Sequence, residues 1–129
     1  MKSIKATMRL IVTGDYDPKY DELVIGVLER NKKRIKCLIT NIAPGPALVA
    51  VDWANNNDVE VISFVDVRTG DRVDFLVNAC NMLREANCVL VFGEAFSNDT
   101  KFFIGRAKKL RMKLIILKIE DGKVRKVRS

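Results

Sequence analysis

Apolar positions along this 129-residue chain follow two alternating rhythms. Five short runs are dominated by consecutive apolar residues: 8–13 (MRLIVT), 35–39 (IKCLI), 59–65 (VEVISFV), 87–92 (NCVLVF) and 113–119 (KLIILKI). Runs of this kind read as strands, and their near-continuous character points to burial on both faces, as in a parallel sheet. Between them lie four segments in which apolar residues recur every three or four positions, the period of an amphipathic helix. The first helix is predicted from Pro18 to about residue 32, after the turn residues Gly14 to Pro18, with Tyr20, Leu23, Val24, Val27 and Leu28 along one face. The second follows the turn at Gly45 and is apolar nearly all round (Ala47 to Val51, Trp53, Ala54), so it should be well covered; Asn55 to Asp58 end it. A loop at 66–71 precedes a third helix, capped by Asp71 and running to about residue 85. That helix carries two apolar stripes: Val73, Leu76, Val77, Cys80 and Leu83 on one, Phe75, Ala79, Met82 and Ala86 on the other. One stripe should face the sheet. The other needs a cover, which predicts a homodimer through the 71–86 helix or packing against a neighbouring helix. The fourth helix is predicted over 98–111, with Phe103, Ala107 and Leu110 inward and Lys101, Lys108 and Lys109 outward.

A βαβαβαβαβ succession with short connections predicts a single α/β domain: a Rossmann-like three-layer fold with a mostly parallel five-stranded sheet and helices on both faces. The expected strand order is 3-2-1-4-5. Residues 123–127 (KVRKV) alternate and should form a short edge strand pairing back on the fifth. Residues 1–7 read as a leader and 120–129 as a basic hairpin and tail. At this length one domain is the simplest division. No apolar run approaches the ~20 residues of a membrane span, and the start lacks a secretory pattern, so a cytoplasmic location without membrane contact is expected.

Composition changes this picture in two ways. There is no histidine, which excludes Ser-His-Asp and Cys-His mechanisms and any His-ligated metal. The three cysteines, Cys37, Cys80 and Cys88, fit no zinc spacing and lie in apolar runs, where reduced thiols act as small core residues. The net charge of +7 is uneven: residues 1–100 carry 12 Lys/Arg against 14 Asp/Glu, and residues 101–129 carry 11 against 2. The excess sits in the last helix, the last strands and the tail. It reads either as a solvated surface or as a polyanion-binding face built from Lys108, Lys109, Arg111, Lys113, Lys123, Arg125, Lys126 and Arg128.

In the expected strand order the switch point lies between strands one and four, where such sheets take ligands beyond their carboxyl ends. Three loops gather there. The first brings Gly14, Asp15 and Asp17, the second Thr40, Asn41 and Gly45, the third Glu94, Ser97, Asn98, Asp99 and Thr100, with no Lys or Arg before Lys101. Gly14 and Gly45 would permit close backbone approach. Thr40, Asn41 and Thr100 would hydrogen-bond phosphate, with help from helix N-termini. Asp15 and Asp99 would take sugar hydroxyls. Asp15, Asp17, Asn98 and Asp99 equally read as turn and cap residues. No cofactor is expected, and Mg²⁺ only with a bound nucleotide. Neither GxGxxG nor GxxxxGK[ST] occurs, which argues against a dinucleotide oxidoreductase or a P-loop NTPase.

The stretches MRLIVTGDYD, IKCLITNIAPGPALVAVDWANNNDVEVISF and VLVFGEAFSNDTKFFIGRAKKLRMKLIIL resemble the SLOG superfamily, in particular its small stand-alone members related to YpsA and the lysine-decarboxylase-like proteins. The resemblance spans roughly residues 8–119 and rests on the Gly45 turn, on Val51-Asp52-Trp53-Ala54 and on the loop and helix after strand four. It implies a domain that binds nucleotides or nucleotide-derived ligands. The pattern departs at Asn41-Ile42, where the family has Gly-Gly, at Pro46-Ala47, and at Ser97 to Thr100, where only the threonine is kept. The segment DTKFFIGRAKKLRMKLI is also similar to the Gly-Thr-x-x-Glu-x-Gly-x-Ala segment of nucleoside deoxyribosyltransferases. Gly105 and Ala107 match, but the nucleophile position is Phe103. Glu94 is then the one nearby carboxylate for N-glycosidase chemistry. The expected function is a non-catalytic nucleotide-binding module; the rivals are nucleic-acid binding by the basic block and glycosidic cleavage through Glu94.

Overall fold

The computed structural model describes residues 5–64 and 72–127. The expected loop at 66–71, the Asp71 cap, the end of strand three at Val65, Arg128 and the first four residues of the leader lie outside the described residues. The elements follow in order: β1 (Met8–Gly14), α1 (Asp21–Asn31), β2 (Ile35–Thr40), α2 (Pro46–Asn56), β3 (Glu60–Ser63), α3 (Arg72–Glu85), β4 (Cys88–Phe92), α4 (Asn98–Lys109), β5 (Lys113–Glu120) and β6 (Lys123–Val127). The sheet order is β3-β2-β1-β4-β5-β6, parallel through β5 with β6 antiparallel at the edge, which agrees with the expected order. Among the described residues no helix is long and apolar enough to cross a membrane.

Every residue of β4 is buried, because helices cover both faces of the sheet at its centre. Alternation sorts the side chains. Leu10, Val12, Cys88, Leu90 and Phe92 pack with Val24 and Leu28 of α1 and Ala50 and Trp53 of α2. Ile11, Ile39, Val89 and Val91 pack with Ala79, Met82 and Leu83 of α3 and Phe103 and Ala107 of α4. Polar atoms carried into these layers have partners: the Tyr20 hydroxyl accepts the Ile119 N–H at 3.1 Å, and Trp53 Nε1 donates to Glu29 Oε1 at 2.7 Å. Cys37 and Cys88 are buried free thiols, and burial pushes both thiol pKa values up. They lie in opposite core layers.

One packing question left open by the sequence is decided, and two packing expectations are corrected. In α3 the stripe of Phe75, Ala79, Met82 and Ala86 meets the sheet together with Leu83, while Val73 and Val77 stand 66% and 55% exposed. Leu110 is not inward: it is the C-cap of α4 and 53% exposed, because the helix ends one residue short of it. Leu48 of α2 is 40% exposed, so that helix is covered on its sheet and α1 sides only.

Candidate functional site

The ends of β1 and β4 are knitted together by backbone. Gly14 pairs with Phe92, and the Asp15 N–H donates to the Phe92 carbonyl at 2.8 Å. A Cβ on Gly14, whose φ is 153°, would lie 2.0 Å from that carbonyl oxygen. Chain packing therefore demands glycine here before any ligand is considered. Asp15 then reaches across to the β4–α4 loop, where its Oδ2 accepts the Glu94 N–H at 2.9 Å and the Ala95 N–H at 3.0 Å. Gly93 makes room for this, since a Cβ there would sit 2.4 Å from the Asp15 carboxyl carbon. The carboxylate expected to hold sugar hydroxyls is thus a clamp between two loops. Asp15→Ala should cost about 2 kcal/mol by leaving both amides without their charged acceptor. Amide hydrogen exchange at Glu94 and Ala95 should accelerate in that variant and stay near wild type in Asp15→Asn, which keeps an acceptor oxygen.

Side chains shape the β2–α2 loop. Thr40 Oγ1 accepts the Ile42 N–H at 2.9 Å and Asn41 Oδ1 accepts the Ala43 N–H at 3.2 Å. Between them Ile42 takes a φ of 57°, the left-handed region that a β-branched residue rarely enters. Gly45, at φ 101°, is the N-cap of α2, and a Cβ on it would lie 3.3 Å from Tyr16 Cα. It is needed so that α2 can start against the β1 loop.

These loops and the start of α4 enclose an open cleft of about 800 Å³ at the switch point. Thr13, Gly14, Asp15, Tyr16 and Asp17 form one wall; Asn41, Ala43, Pro44 and Ala47 form the second; Ala95, Ser97, Asp99 and Thr100 form the third, over Phe103. Three hydroxyls converge on the third wall: Thr13 Oγ1 is 3.4 Å from Thr100 Oγ1, and Ser97 Oγ is 3.4 Å from the same oxygen. Ser97, rather than Asn98 or Asp99, is the N-cap of α4, accepting the Thr100 N–H at 3.3 Å. Phe103 is buried and meets Phe75 and Phe102 edge to face, with centroids 5.9 and 6.4 Å away.

Of the residues expected at the site, Gly14, Asp15, Asn41, Asp99 and Thr100 line this cleft. Thr40 is buried and engaged with its own loop. Gly45 lines a smaller neighbouring recess with Tyr16 and Asp52. Asn98 and Glu94 are exposed and do not line the cleft. Glu94 instead stands 4.0 Å from Lys19 Nζ, which also pairs with Asp17 at 3.7 Å. The site has one more cation that sequence reasoning missed: Arg72, the first described residue of α3, pairs with Asp99 and lies over the Phe75 ring at 4.8 Å. Twenty-seven positions separate Arg72 from Asp99, and only the packing of α3 beside α4 brings them together. Among the described residues no group of three or more Cys, Asp or Glu is arranged to hold a metal ion.

No protein-family model matches the chain, and no curated protein matches it. Among solved structures it is similar to glycinamide ribonucleotide transformylase 1 from Geobacillus kaustophilus, at 12% sequence identity and a TM-score of 0.43. The similarity covers 86% of this chain and 58% of that one. The chain thus spans less than two thirds of that enzyme's length.

Proposed function

We propose that the switch-point cleft binds a nucleotide or nucleotide-derived small molecule, and that the protein is a SLOG-like binding module without turnover. The observation that supports this is the convergence of the Thr13, Ser97 and Thr100 hydroxyls at the N-terminus of α4, beside an apolar surface of Pro44, Ala47 and Phe103, in a cleft of about 800 Å³. That volume lies within the usual range for small-molecule sites. The exposed Pro44, above the buried Ala47 and Phe103, offers apolar contact to a base. Asn41 and Asp17 suit sugar hydroxyls. The first turn of α4, with Arg72 beside Asp99, suits a phosphate. The resemblance to deoxyribosyltransferases puts their nucleophile position at Phe103, which cannot attack a glycosidic carbon, and Glu94 faces Lys19 outside the cleft. The exposed Val73 and Val77 side of α3 is where we place a homodimer contact.

Melting in the presence of a nucleotide and nucleoside panel tests this reading. A ligand at a hundred times its Kd stabilises by about 2.7 kcal/mol, a shift on the order of 10 °C for a chain of this size. Ala95→Trp fills the cleft from an exposed loop position, and it should abolish the shift while leaving the unliganded Tm near wild type. A flat response across the panel, or shifts unaltered by Ala95→Trp, refutes the proposal.

A further inference from the structure

The hairpin of β5 and β6 divides the C-terminal basic block between two faces of the sheet. Val127 packs beside Ile116 in the α3/α4 core layer. Strand alternation therefore puts Lys123 and Arg125 on that same side, with Lys118, which pairs with Arg125 across the ladder. Lys126 falls on the opposite side. So does Lys113, which lines a recess with Leu28 and Leu90 under α1. The eight-residue block read from sequence is not one surface.

What remains on the α4 side is a step of exposed cations shared between the helix and the edge strand. Phe102 of α4 contacts Phe75 of α3, which fixes the helix flank turned toward α3. Lys101 and Lys108, seven residues apart and both exposed, lie together on the outer surface away from that flank, with Arg111 just past the helix end. β6 is the edge strand, and its Lys123 and Arg125 stand exposed on the α4 side, Lys123 opposite Glu120 beyond the carboxyl end of β4 and so toward the start of α4 rather than its end. The acidic neighbours of this step are Glu120, the exposed Asp121 in the turn before Lys123, and Glu94, whose carboxylate also acts on Lys118. Glu120 is bound by Lys118 at 2.7 Å and Arg125 at 3.3 Å, and the Lys118 ammonium holds its carboxyl below the usual carboxylate range. Lys101, Lys108, Arg111 and Lys123 have no ion-pair partner among the described residues.

We infer that this step between α4 and β6 is a docking surface for the phosphate backbone of a nucleic acid duplex, bound without regard to sequence. Two rows of cations fit a regular polyanion: Lys101 and Lys108 are separated by about 10 Å along the helix, and Lys123 and Arg125 by about 7 Å along the strand. The chemistry offers charge alone. Phe102 and Phe103, which follow Lys101, are engaged with Phe75 of α3 and offer no open ring for bases to stack on, which disfavours a single strand. Leu110, exposed between Lys108 and Arg111, is a single apolar side chain and gives little to insert into a lipid layer. The surface is separate from the switch-point cleft, and its test stands apart from the ligand panel.

The test is fluorescence anisotropy with a labelled 20-base-pair duplex, titrated at several salt concentrations. About five phosphate contacts give a slope of log affinity against log salt of about −4. The triple variant Lys101→Gln, Lys108→Gln and Lys123→Gln should bind about a hundredfold more weakly at moderate salt and lose most of the slope. Lys33→Gln, Arg34→Gln and Lys36→Gln remove the same charge at the far end of the sheet and should leave binding nearly unchanged. Circular dichroism confirms that both triples fold. Equal losses in the two triples, absence of duplex binding at 50 mM salt, or binding confined to phosphatidylserine vesicles would each overturn the inference.

Discussion

Gly14→Ala is expected to destabilise the protein by about 4 kcal/mol, close to the whole stability of many small domains. The added methyl would meet the Phe92 carbonyl oxygen at 2.0 Å and the Phe92 amide nitrogen at 2.8 Å. Both are backbone atoms of the most deeply buried strand, so no side-chain rotation relieves the clash. The φ of 153° adds strain for any residue with a Cβ. Gly105→Ala provides the contrast. Gly105 is exposed in the middle of α4 with nothing within 4 Å of a new Cβ, and alanine there should stabilise by about 0.5 kcal/mol. Urea denaturation of both variants measures the difference. A Gly14→Ala protein within about 1 kcal/mol of wild type would show that β1 and β4 do not approach as described.

Phe103→Ala is expected to cost about 4 kcal/mol, the range for deleting a fully buried phenylalanine. Phe103 joins the α3/α4 core layer to the cleft and contacts both Phe75 and Phe102. Its loss removes two edge-to-face contacts and leaves a void beneath the three hydroxyls. Phe103→Leu refills most of that void and should recover more than half of the loss. Phe103→Glu would place a carboxylate at a site 2% exposed among aromatic rings, so it should unfold the protein rather than install glycosidase chemistry. Thermal unfolding separates these outcomes: a Phe103→Ala protein melting within a few degrees of wild type would mean that the aromatic cluster does not hold α3 to α4.

The candidate site was legible in part. Gly14, Asp15, Asn41, Asp99 and Thr100 follow strands whose ends are visible as apolar runs giving way to turn residues, and they line the cleft. What each does was not legible. Asp15 reads as a free carboxylate until the 93–95 loop is seen donating two amides to it. Ile42 reads as an ordinary loop residue, yet it holds a glycine-like backbone through the side chain of Thr40. Arg72 carries no local signal, because its meaning comes from Asp99 on another helix. The basic block was legible as charge but not as a surface, since alternation along β5 and β6 sends Lys113 and Lys126 to one face and Lys123 and Arg125 to the other.

The sequence by itself determined the succession of strands and helices and, through it, a parallel sheet. These follow from hydrophobic periodicity and short connections, which act over a few residues and leave their mark wherever they act. The tertiary structure alone decided which stripe of α3 meets the sheet, where Leu110 points and which loop atoms face one another across the cleft. Those outcomes depend on strand register and helix packing, which couple positions as far apart as Asp15 and Glu94. No local pattern encodes a distance between residues that meet only when the sheet has closed its order.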